Sequence, residues 1–189
     1  MNKGLLKYFD LVFVLKFIAF FLAFYFFNLF FIGVTAPGGT VYSAFLDNYL
    51  NYVAWIRSSI LHTANFIADD LGSGSYVLDQ YTLKAGDASI HMVYTCIGLG
   101  IMSFWVAFVL AHKSSWKKKV LWSLGGVFAI WMINCWRIAL LLMALDNNWE
   151  VERYVDQHTL FNITGYSLIL LMIYLYSKKT EENFTELAI

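Results

Sequence analysis

Cys96, Arg137 and His158 are the side chains whose types and settings suit acyl transfer. Arg137 stands in the apolar run Ile130-Trp131-Met132-Ile133-Asn134-Cys135-Trp136-Arg137-Ile138-Ala139-Leu140-Leu141. An ionisable group inside a membrane span is costly and tends to be kept for a task, although an Arg can also snorkel to headgroups. Cys96 lies in Thr95-Cys96-Ile97-Gly98-Leu99-Gly100. A thiol near a helix N-terminus with a cation close by is stabilised as the thiolate, the form a nucleophile needs, whereas an ordinary free Cys is a small apolar residue. His158 carries the side chain best suited to move protons near neutral pH, and its plainer reading is an interfacial His. Thiolate attack on a peptide carbonyl makes an oxyanion, which a guanidinium in a low-dielectric layer stabilises. The leaving amine needs a proton, which His158 can supply. The thioacyl product would then meet water or an amine, and the residues do not choose between them.

Four further residues belong to the same neighbourhood. Asn134 stands three positions before Arg137 and therefore shares its helical face. Gly98 and Gly100 admit a close backbone neighbour, for catalysis or for ordinary helix packing. Cys135 is about 200° around the helix from Arg137 and points away from it, and pairing it with Cys96 would need the two helices to face each other. The four His and two Cys show no close metal-ligand spacing, so no metal and no cofactor is expected. No Gly-x-Ser-x-Gly, His-Glu-x-x-His or Walker-type loop is present. His91 alone among the other histidines is near enough to compete with His158.

These residues must be positioned by a membrane protein. The hydrophobic share is 60% and the charged share 14%, against about 25% charged in a soluble domain. Such a chain is not disordered and cannot cover a water-facing surface. Thirteen basic and thirteen acidic residues cancel, which suggests no nucleic-acid partner.

The expected architecture is an all-α integral membrane protein forming one membrane domain over 1–189. Four spans are predicted at about 11–34, 91–111, 120–145 and 159–176, each near the ~20 residues a bilayer requires. The first run is too long for a signal-peptide core and is followed by Pro37, so it reads as an uncleaved anchor. Between the second and third spans stands His112-Lys113-Ser114-Ser115-Trp116-Lys117-Lys118-Lys119, an inside signal. The acidic loop 146–157 is then outside, and both termini are cytoplasmic. On that topology Arg137 lies roughly 12 Å and Cys96 about 7 Å below the outer edge, one layer shared with His158. The segment 35–90 is outside as well. Over about 42–68, Phe45, Leu46, Tyr49, Leu50, Val53, Ile56, Ile60, Ala64 and Ile67 form a helical apolar stripe opposite Asp47, Asn48, Asn51, Ser58, His62 and Asn65. That pattern predicts an amphipathic helix in the outer interface or packed over the bundle. The breaker Gly72-Ser73-Gly74-Ser75 precedes an extended segment, 76–90, read as two short strands.

The ordered set Cys96-Ile97-Gly98, Asn134-Cys135-Trp136-Arg137 and His158 followed by Gly165 resembles the exosortase and archaeosortase family of membrane-embedded cysteine transpeptidases. The likeness covers about Tyr81 to Tyr176 and is nearest to the compact bacterial members. It implies a bacterial inner-membrane enzyme whose site faces outward. It also implies a partner: an exported, membrane-anchored protein whose hydrophobic C-terminal sorting tail is cut and transferred to an amine. Cys96 would be the nucleophile, His158 the acid/base, and Arg137 the group that stabilises charge or positions the peptide. Two other readings stay open: a non-catalytic assembly or scaffold protein for surface polysaccharide or secretion machinery, and a thiol redox protein using Cys96 and Cys135.

Overall fold

The computed structural model describes residues 10–147, 163, 166–176 and 178. In chain order these form α1 (Leu11–Thr35), α2 (Ala44–Leu50), α3 (Tyr52–Asp70), β1 (Tyr76–Val77), β2 (Thr82–Ala85), β3 (Ala88–His91), a 3-10 turn (Tyr94–Ile97), α4 (Leu99–Ala111), α5 (Trp116–Asp146) and α6 (Tyr166–Tyr176).

Among the described residues two helices, α1 and α5, are long and apolar enough to cross a membrane. The Asp10 carboxylate caps α1 by accepting from the backbone N–H of Val12 and Phe13, both at 3.2 Å, satisfying donors the first turn leaves open. The helix stops ahead of Pro37, whose ring disfavours helical backbone in the residue before it. Phe13, Phe17 and Phe21 recur every fourth position and turn one face to α4. Phe17 meets Phe104 edge-on at 5.1 Å between centroids, and Phe13 meets Phe108 at 5.8 Å, a geometry that aligns ring edge with ring face. Phe26, Phe27 and Phe30 on α1 remain exposed. A helix this apolar with so little of its surface covered is one solvated by lipid.

Helix α5 runs for 31 residues and packs on α4 around Trp105. That indole is fully buried and donates from Nε1 to the Trp122 carbonyl at 2.9 Å. Gly126 lies directly beneath the ring, where a Cβ would collide with it. Beside α5, helix α3 runs in the same direction: Trp131 Nε1 donates to Ser59 Oγ at 2.9 Å, and one turn further along both helices Cys135 bonds Thr63.

The helix expected over 42–68 is therefore two helices. Ser43 and Asn51 each cap a new N-terminus, Asn51 Oδ1 accepting from Ala54 N at 2.9 Å, so the chain turns at Asn51. It neither lies flat nor covers the bundle from above, because α3 stands lengthwise against α5. The stripe Val53, Arg57, Ile60, Leu61, Ala64 and Ala68 is buried there. Phe45, Tyr49 and Leu50, expected on the same apolar face, belong to the separate α2 and are exposed. The start of α3 reaches down to α1, where Tyr52 Oη donates to Asn28 Oδ1 at 2.6 Å and Asn28 Nδ2 donates to Ser103 Oγ of α4 at 2.9 Å.

The span expected over 91–111 is not one helix. Segment 88–91 is strand β3, Met92 N donates to the Tyr81 carbonyl at 2.7 Å, and Gly98 sits at φ +85. A left-handed residue cannot propagate an α-helix, so α4 begins only at Leu99 and has 13 residues, about 20 Å. The segment 76–90 holds three strands where two are expected. Gly86-Asp87 connects β2 to β3, with Ala85 paired to Ala88 and Gly86 at φ +52, the positive φ that two-residue hairpins favour. The antiparallel order is β1-β2-β3. Of the fourth expected span, residues Tyr166–Tyr176 are described and form an apolar helix.

Candidate active site

Cys96 occupies the 3-10 turn between β3 and α4, with its N–H bonded to the Val93 carbonyl at 2.9 Å. It precedes α4 and is not one turn inside it, as a continuous span from 91 would require. Its side chain is half-buried. The turn is fixed from α5: Asn134 Nδ2 donates to the Cys96 carbonyl at 2.8 Å. Asn134 is 7% exposed, so this amide is a buried group whose bond replaces one to solvent. A Cβ on Gly98 would come within 3.3 Å of the same Nδ2. The Gly therefore serves two needs, a positive φ that reverses the chain into α4 and room for the Asn134 amide.

Arg137, one turn beyond Asn134, lines a cavity of about 240 Å³. Thr95, Gly98, Gly100 and Asn134 form its polar and backbone-rich side, while Ile130, Ile133, Ile169 and Met172 form the apolar wall. The cavity thus joins the Cys96 turn, the Arg137 face of α5 and helix α6. Gly100 lies beyond the break at Gly98 and still borders this space. Twelve residues separate Asn134 from the end of α5, which puts the Cys96 turn roughly 18 Å down the helix from its sheet-side end. Irregular backbone at such depth is tolerated where protein encloses it, and α3, α5 and the sheet do so here. His158 and Gly165 lie outside the described residues.

The remaining sequence candidates are occupied elsewhere. Cys135 is fully buried and points to Thr63 of α3, away from the Arg137 face, and both Cys are free. His91 is exposed, 3.2 Å from Thr82 Oγ1 and stacked on Tyr81 at 5.6 Å. His112 lies at the other end of α4 among Phe13, Phe108 and Tyr176, where burial lowers its pKa. Among the described residues no three His, Cys, Asp or Glu side chains come together as a metal site.

Sequence reasoning missed Arg57. It is 3% exposed, donates from Nε to the Gln80 carbonyl at 3.0 Å and lies over the Tyr81 ring at 3.8 Å. The spacing 53, 57, 60/61, 64, 68 put it on the buried stripe and could have revealed it. Its charge argued for the opposite face.

A family model for transmembrane exosortases matches residues 9–175. The chain belongs to the transmembrane exosortase family. Membership makes it a membrane-embedded protein and agrees with two lipid-length helices and a mostly helical chain. The exosortase match spans α1 and α3 as well as the segments that carry Cys96 and Arg137, so the elements around the site are part of the family's fold. No curated protein and no solved structure matches the chain.

Proposed function

We propose that this chain is a membrane-embedded cysteine transpeptidase or peptidase that cuts the hydrophobic C-terminal sorting tail from exported proteins. The Lys113 to Lys119 end would be cytoplasmic, with both termini, and the sheet end extracytoplasmic, in the bacterial inner membrane. The Cys96 thiolate attacks the scissile carbonyl and forms a C–S bond, and the oxyanion is met by the Arg137 guanidinium. As the C–N bond breaks, His158 gives the leaving amine its proton. The thioester is then resolved by an amine acceptor, or by water, whose proton His158 takes back. Asn134 holds the Cys96 backbone, Gly98 makes room for that amide, and Gly100 borders the space the peptide would take.

The observation that carries this reading is the 2.8 Å bond from Asn134 to the Cys96 carbonyl. It ties the nucleophile's turn to the helix face bearing Arg137, beside the cavity of about 240 Å³ that both line. The test is co-expression with an exported protein carrying a basic-ended hydrophobic C-terminal tail. Cys96→Ala should abolish processing while leaving the protein in the membrane at normal abundance. Processing that continues in Cys96→Ala cells refutes the reading, and an Arg137→Ala defect beside a silent Cys96→Ala would favour a non-catalytic scaffold.

A further inference from the structure

Arg57 has one hydrogen bond, from Nε to the Gln80 carbonyl, and no carboxylate within ion-pair distance among the described residues. The terminal nitrogens of its guanidinium make no hydrogen bond there, although the residue is 3% exposed. Those nitrogens keep a little accessible surface, so the fork of this otherwise buried charge, of a kind normally paired, is open to a ligand. Asp79, the residue before Gln80, accepts instead from Tyr81 N at 2.7 Å. What surrounds the guanidinium is aromatic: the Tyr81 ring lies 3.8 Å from Cζ and the Tyr94 ring 5.6 Å. The Tyr81 ring under Cζ and the Nε bond to Gln80 hold the group in place and leave the two terminal nitrogens, the pair that can take a carboxylate in two parallel bonds, without a protein partner among the described residues. Tyr94 belongs to the same 3-10 turn as Cys96, so the guanidinium borders the turn that carries the proposed nucleophile.

We propose that Arg57 is a carboxylate-binding subsite, and that its ligand is an acidic side chain of the exported polypeptide near the bond to be cut. The proposal rests on the transpeptidase reading for the identity of the ligand, not for the binding itself. Tyr81 and Tyr94 wall the site, and the Gln80 carbonyl sets the rotation of the fork. A Gln in place of the acid would keep its shape but lose one of the two charge-assisted bonds.

The experiment uses the full-length protein in neutral phosphatidylcholine nanodiscs. The probes are fluorescent Leu/Ala transmembrane peptides with a basic C-terminus, and a single Glu or Gln placed at each of the five positions just outside the apolar stretch. At one position or two adjacent ones, the Glu peptide should bind wild type about ten-fold or more tighter than its Gln twin. Arg57→Gln should abolish that preference and Arg57→Lys should retain part of it. Equal affinity of the Glu and Gln peptides at all five positions for wild type overturns the proposal without any variant having to fold. A preference that survives in Arg57→Gln overturns it too. The two readings fail separately: a Glu preference without acylation of Cys96 sinks the enzyme reading and leaves the subsite, whereas acylation without preference does the reverse.

Discussion

Gly98→Ala perturbs the Cys96 turn at one atom, and its cost can be worked out. At φ +85 a residue with a Cβ is strained by about 1–2 kcal/mol. The new methyl would stand 3.3 Å from Asn134 Nδ2, closer than side chains normally pack, so the amide must give way. If it moves far enough to lose the Cys96 carbonyl, a buried polar group is left unsatisfied at about 1–3 kcal/mol. The single variant should therefore lose about 2–5 kcal/mol, strain and displacement together. Asn134→Ala should lose about 1–3 kcal/mol by the same missing bond. The double variant keeps the strain but has no amide to displace, so it should fall short of the sum by about 1–3 kcal/mol. SDS titration in mixed micelles measures stability, and maleimide labelling of half-buried Cys96 reports the turn. Labelling should accelerate in both single variants, while fully buried Cys135 stays silent in the folded protein. A Gly98→Ala protein within about 0.5 kcal/mol of wild type, or a strictly additive double variant, would refute the reasoning.

Two adjacent glycines of α5 should behave oppositely under alanine substitution. Gly126→Ala drives a methyl into the Trp105 ring and should cost about 1–3 kcal/mol, whereas Gly125 has nothing within 4 Å and Gly125→Ala should be neutral or stabilising by up to about 1 kcal/mol; SDS titration of both compares them directly. Asn28→Ala removes the link between Tyr52 and Ser103 and should cost about 1–3 kcal/mol, with faster proteolysis of the α2–α3 segment as a second readout. The lowered pKa of His112, caused first by burial, makes its neutral form the stable one in the folded protein. Both states are neutral above the unfolded value of about 6.5, so stability is greatest there and declines as pH falls from that value towards the folded one. The unfolding midpoint should drop over that window in wild type and stay flatter in His112→Phe.

The lipid solvent, the two long helices and the pairing of Asn134 with Arg137 were legible in the chain, because each rests on composition or on the 3.6-residue period alone. The lone Pro37 and the Lys-rich segment likewise act locally. Arg57 was hidden for a contrary reason: local pattern assigns a charge to the polar face, and only stacking against Tyr81 and Tyr94, both distant in sequence, makes its burial tolerable. The break at Gly98 was also invisible locally, since an apolar run with two glycines reads as helix. β2 and β3 claim the residues up to His91, and the Asn134 amide from another helix occupies the space a side chain at 98 would need. Sequence by itself determined where lipid contacts the chain and which side chains carry reactive groups, since hydrophobicity and chemistry belong to single residues. Tertiary structure alone decided that Cys96 sits in a turn held by Asn134, because that geometry depends on contacts between segments tens of residues apart.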